Sequence, residues 1–135
     1  MKVEIFTVCE AANDANGKLN LLGSFDHLWA QQTPVTHPYC AVAMRLRFAR
    51  IEEGNHRLKV TFADADGKLV IPSIEATVGL RFANDDSTTA ANVILNIVSL
   101  KLNSFGEYTI DLAVDGRQEG SLPLYVQRMP EQRPA

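Results

Sequence analysis

No run of apolar residues in this sequence approaches the roughly 18 that a membrane-crossing helix needs. The first ten residues, MKVEIFTVCE, do not read as a secretory leader either. They alternate as a strand does, and Glu4 interrupts any apolar core. Cysteine is scarce: Cys9 and Cys40 are the only two, and neither sits in a CxxC or Cys/His cluster. These absences predict a cytoplasmic protein with no membrane partner and with reduced thiols. Concentrated positive charge is missing as well. Thirteen basic residues stand against sixteen acidic ones, for a net charge of −3, and the nearest thing to a basic cluster is the loose trio Arg45, Arg47 and Arg50. Phosphate binding wants a concentrated basic surface, so nucleic acid is not an expected partner. Catalytic signatures fail in the same way. Ser24, Ser87 and Ser104 lack the GxSxG context of a hydrolase nucleophile. No glycine-rich phosphate loop is present, because Gly106, Gly116 and Gly120 read as turn glycines. The reading is of a non-enzyme with no cofactor.

What is present is ordinary globular composition and a strong period of two. At 46% hydrophobic and 21% charged, the 135 residues suit one folded domain. A chain of this size buries roughly 65–70% of its unfolded surface and needs no disulfide or metal staple. The clearest stretch is Gly106 to Val126. Tyr108, Ile110, Leu112 and Val114 alternate with polar positions, Asp115-Gly116 follows, and Leu122, Leu124 and Val126 alternate again. Asp-Gly supplies the positive φ angles of a tight turn, so the segment is a β-hairpin whose apolar face is core. Earlier strands are expected over Val3–Glu10, Leu19–Trp29, Cys40–Ala49, around Leu58–Phe62, and over Ile74–Phe82. Gly23 marks a bulge or a close backbone approach in the second of these. Residues 31–38 are expected to be loop, because Pro34 and Pro38 cannot donate to a ladder. Ala90–Leu102 fits both a helical and a strand spacing; its β-branched residues and asparagines favour strand. Both of its faces are apolar, which predicts a central strand or a covered face. The sum is an all-β, two-sheet antiparallel β-sandwich of seven to nine strands, immunoglobulin-like or jelly-roll in topology. The domain is expected to span residues 1–128, with 129–135 as a flexible tail.

Two resemblances follow from particular residues. Phe105-Gly106-Glu107-Tyr108 ahead of a strand resembles the tyrosine corner of immunoglobulin-like sandwiches, in which a Tyr bonds back to an upstream backbone group. Cys9, Trp29 and Cys40 are too close together to be the inter-sheet set of antibodies. The whole chain, over about residues 1–128, resembles a family of small uncharacterised bacterial β-sandwich proteins, a DUF6941-like domain of unknown function. The match lies in Cys9-Glu10, Asn16-Gly17-Lys18-Leu19, Gly23-Ser24-Phe25-Asp26, His37-Pro38, Arg45-Leu46-Arg47-Phe48, Asp66-Gly67-Lys68, Gly106-Glu107-Tyr108 and Asp111 through Val126. The resemblance implies a β-sandwich and a strand at 92–102, and it implies no activity.

Candidate sites are few. Asp26, His27, His37 and Cys40 could form a metal or thiolate group, but their spacing matches no metal signature. Asp64-Ala65-Asp66-Gly67 opens like a calcium loop with Glu75 at its twelfth place and Asp85-Asp86 nearby. Gly67 comes too early, however, and a hairpin turn is the better reading. Trp29, Tyr39 and Tyr125 are candidates for stacking a carbohydrate-like ligand. Phe6, Val8, Tyr125, Ile94, Val98 and Leu100 fall on second faces of their strands and are candidates for an interface. The favoured function is a non-catalytic structural or protein-interaction module, with a homodimer among its forms. A ligand-binding module using Trp29, Tyr39 and Tyr125 is the alternative, ahead of an enzyme built on His27, His37 and Cys40.

Overall fold

The computed structural model describes residues 1–83 and 85–130. These form nine strands and one short 3₁₀ turn: β1 (Lys2–Ala15), β2 (Lys18–Ser24), β3 (His27–Ala30), β4 (Val35–Ala49), the turn (Arg50–Glu52), β5 (Gly54–Ala63), β6 (Ile74–Leu80), β7 (Thr88–Leu102), β8 (Gly106–Val114) and β9 (Arg117–Arg128). They make two sheets. Sheet A runs β2-β1-β4-β7, and sheet B runs β3-β9-β8-β5-β6. Every pairing is antiparallel except β3 with β9. One core is shared by both sheets: Val42, Met44, Leu46 and Phe48 from β4 meet Leu58, Val60 and Phe62 from β5 and Ile110, Leu112 and Leu124 from the closing hairpin. Among the described residues no helix is long and apolar enough to cross a membrane.

The expected hairpin is β8–β9. Asp115 and Gly116 take φ of 52° and 80° at its turn, and Val114 faces Arg117 across it. Leu112, Val114 and Leu124 are buried, with Leu122 half-buried beside them. The ambiguous segment 90–102 is strand throughout, within β7.

Three expectations are revised. The single strand expected over Leu19–Trp29 is two strands in different sheets. β2 belongs to sheet A and β3 to sheet B, with Phe25-Asp26 crossing between them. Gly23 makes the break: its φ is +67°, and an added Cβ would lie 2.8 Å from Glu10 Cγ. The loop expected over 31–38 becomes strand from Val35 onward. Between residues 35 and 40, β4 is paired only with β7, because β1 leaves it at Cys9–Ala41. A proline is tolerated where one side of the strand has no ladder. Finally, Phe6 and Val8 are not on a second face. A register shift between Val3 and Ile5 puts Glu4 in a bulge, so Val3, Phe6 and Val8 all reach the core opposite Leu46, Met44 and Val42. Phe6 packs so close to β9 that a Cβ on Gly120 would lie 2.9 Å from its ring.

The outer face of sheet A carries a second, smaller core of Cys9, Ala41 and Ala43, all fully buried, with Ala12, Leu19, Leu21 and Ile94 around them. The β1–β2 hairpin covers it. At the hairpin tip, Asn92 Nδ2 donates to Asp14 Oδ2 (3.0 Å) and to the Gly17 carbonyl (3.1 Å), and Arg45 Nη1 donates to that carbonyl too (3.3 Å). The alanines let the hairpin lie close. This cover explains the apolar second face of β7 at Ile94. Ser99, at φ +57°, shifts the parity beyond it: Leu100 turns into the core and Val98 is left outside.

Candidate functional site

The switch of sheets at Phe25-Asp26 sets β3 alongside β9. His27 lies opposite Tyr125, and Trp29 lies opposite Gln127. Leu28, Leu124 and Val126 pack inward, so His27, Trp29 and Tyr125 share the outer face of sheet B. Their rings form a row. The His27 ring stacks on Trp29 at 5.9 Å with 16° between planes, and stands 5.0 Å from Tyr125 at 32°. Trp29 is 52% exposed, an unusual cost for so large an apolar ring. His27 is oriented by its neighbour: Nδ1 donates to Asp26 Oδ1 at 2.5 Å. Glu107, opposite Tyr125 on β8, and Gln127 on β9 put polar groups at the borders of the row. Asp26 also lines a cleft of about 300 Å³ with Thr7, Ser24, Phe25, Leu122 and Pro123. The Thr7 and Ser24 hydroxyls hydrogen-bond to each other at its wall. The aromatic row thus meets at Asp26 a cleft in which the Thr7, Ser24 and Asp26 oxygens stand among apolar Val8, Phe25, Leu122 and Pro123, an arrangement suited to a ligand with apolar faces and polar edges.

The other predicted residues lie apart from this row. Tyr39 is on sheet A, cross-strand from Val98, and its hydroxyl donates to Asn96 Oδ1 at 2.7 Å. Phe6 faces the core, as described above. His37 packs on Phe25 at 5.6 Å, and its Nε2 is buried without a hydrogen-bond partner among the described residues. Cys40 is fully buried in the shared core, where burial and then the neighbouring Cys9 push its thiol up to about 11. A thiol so placed is a poor nucleophile, and His27 stands on the outer face of the other sheet. Among the described residues no three His, Cys, Asp or Glu side chains gather as a metal site. The loop acid Asp64 is occupied instead with its turn, accepting the amides of Asp66 and Lys68 on Oδ1, each at 2.9 Å.

A family profile matches residues 4–127, nearly the whole of both sheets. The chain belongs to DUF6941, a family of unknown function. Among curated proteins none matches the chain. Among solved structures, the Pseudomonas fluorescens alkylpurine DNA glycosylase AlkC, bound to DNA containing an abasic site analog, overlaps 93% of this chain at 8% identity with a TM-score of 0.49. The chain spans 30% of that glycosylase chain.

One constellation in this DUF6941 chain escaped sequence reasoning. His56 Nδ1 donates to Asp115 Oδ2 (2.6 Å) and Nε2 donates to the Glu52 carbonyl (2.5 Å). Both partners accept, so the pair of bonds is complete when the imidazole carries a proton on each nitrogen. The Glu52 carbonyl first, and then the Asp115 carboxylate, raise its pKa. Asp115 is lowered in turn, by the Arg57 amide and then by His56. With both nitrogens engaged, His56 is a latch between the 3₁₀ turn and the β8–β9 turn. Asp-Gly was legible as a turn, but its histidine partner lies 59 residues away, beyond any local pattern.

Proposed function

We propose that this protein is a non-catalytic binding module whose recognition surface is the His27–Trp29–Tyr125 row, and that its ligand is a carbohydrate chain of neutral sugars. The observation that carries the reading is the half-exposed Trp29, its ring stacked on His27 on the outer face of sheet B. The C–H face of a pyranose ring lies flat on such a surface, while its hydroxyls need partners at the edge. Asp26, Glu107 and Gln127 supply them. Tyr39 is left out of the proposal because it stands on the other sheet. No nucleic-acid partner is proposed either: Arg45 and Arg47 are both tied to Glu4, at 3.0 and 2.8 Å. A cytoplasmic location is proposed from the free, buried Cys9 and Cys40. We further propose that the two sheets are an immunoglobulin-like sandwich in preference to a jelly roll. Support comes from the Tyr108 corner, the closing β8–β9 hairpin and the parallel β3 beside the last strand.

Trp29 is the only tryptophan, so intrinsic fluorescence reports on the site directly. Titration with soluble neutral glucans, xylans and galactans is expected to shift its emission with one of these classes. Trp29→Ala is expected to weaken that binding by about tenfold or more, as removal of a central aromatic anchor does, and Trp29→Phe by less. If none of the three classes perturbs Trp29, or if Trp29→Ala binds as the parent does, the reading fails. A second reading, as a protein-interaction module, is favoured by β7, which among the described residues pairs on one side only.

A further inference from the structure

The two outermost strands of sheet B and the far strand of sheet A have blunted edges. β3 is four residues long, β6 carries Glu75, and β2 begins at Lys18. The edge formed by β7 is neither short nor charged along its middle, its one charge being Lys101 near the end. It is 15 residues long, and among the described residues it pairs only with β4. From Thr88 to Leu100 it holds no charged residue and no proline. Unpaired N–H and C=O groups on a long neutral edge accept another extended chain unless something prevents it. Val93 and Leu95 are only half-buried along this side of the core, and Val98 is 70% exposed.

The charges at the two ends of β7 identify which chain fits. Asp85 and Asp86 stand just before the strand, and Lys101 stands near its end. Consider two copies paired antiparallel about a two-fold axis normal to the sheet. Their core faces must lie on the same side, and an axis near Ile94 meets that condition. Each Lys101 then comes to the Asp85-Asp86 turn of the other copy, and only neutral residues face each other in between. A parallel pairing would set lysine beside lysine. We infer that β7 is a homodimer interface at which a second copy of this chain pairs antiparallel, joining the two A sheets into one. The interface is separate from the aromatic row, which stands on sheet B, so both copies keep their rows accessible.

Sedimentation velocity of the full chain over roughly 1–100 µM, the range where interfaces of modest size dissociate, is the test. A monomer–dimer equilibrium is expected. Lys101→Glu is expected to raise the dissociation constant about tenfold, because two ion pairs become two repulsions. Adding Asp85→Lys and Asp86→Lys to that variant restores the dimer. Val98→Lys, at an exposed position of the same strand, weakens the dimer while leaving the circular dichroism spectrum unchanged. A chain that stays monomeric across the range overturns the inference. So does a dimer whose dissociation constant none of these substitutions moves.

Discussion

Tyr108 shows how much one residue can fix. It is buried at the start of β8, and its hydroxyl donates to the Ser104 carbonyl at 2.7 Å and accepts from the Ser104 amide at 3.2 Å. One side chain thereby satisfies both backbone groups of the residue ahead of the hairpin. Tyr108→Phe keeps the ring in the core but leaves those groups unpaired. Urea unfolding is expected to show a loss of about 1–3 kcal/mol, the usual cost of a buried hydrogen-bonding group left alone, with the native spectrum retained. The corner was legible in Phe105-Gly106-Glu107-Tyr108 because the bond spans four residues. The packing of His27 against Tyr125 was not, since their sequence neighbours hold no sign that β3 runs beside β9. The legible signal was Gly23, read as a bulge or close approach. Taken as a break, it would have divided the strand and freed Trp29 for the other sheet.

At the scale of elements, the β1–β2 hairpin behaves as a cover on sheet A. Its underside is small and apolar, and its tip is held by polar groups of Arg45 and Asn92. Asn92→Ala removes two of those bonds without disturbing the pairing of β7 with β4. Hydrogen exchange is expected to quicken over residues 10–24, by about tenfold for a loss near 1.4 kcal/mol, while β5, β8 and β9 keep their protection. Uniform quickening would mean that the hairpin is integral to the global unfolding unit and not a separable cover. For β7 the sequence left a central strand or a covered face open, because Ile94 opposes Val93 and Leu95; among the described residues β7 is an edge strand, and the covered face is what the structure shows. The alternation gave no hint of the cover, since the first strand had been read as ending at Glu10. The bulge at Glu4 was equally hidden: a single extra residue reverses the inward and outward sets, and alternation alone placed Phe6 on the wrong side.

At the scale of the whole molecule, the His56 latch ties stability to pH. Its folded pKa lies above the ordinary value, so its contribution is complete below about pH 6.5 and fades as pH rises through the folded pKa. Asp115 and Glu52 are lowered, Glu52 chiefly by the Ala49 amide. Their contributions are present above about pH 4 and fade as pH falls through their folded values. Melting temperature is therefore expected to peak between about pH 4.5 and 6.5. His56→Gln should flatten the decline on the alkaline side and leave the acid side in place; an unchanged alkaline limb would assign it to other groups. The order in which the strands are made adds a last consequence. β3 finds its ladder only when β9 is made, so this edge of sheet B stays open while the five strands between them are synthesised. His27 and Trp29 meet Tyr125 only when β9 is in place. A chain interrupted before Leu124 therefore has no assembled aromatic row, and a ligand of the proposed surface meets only chains that have completed β9.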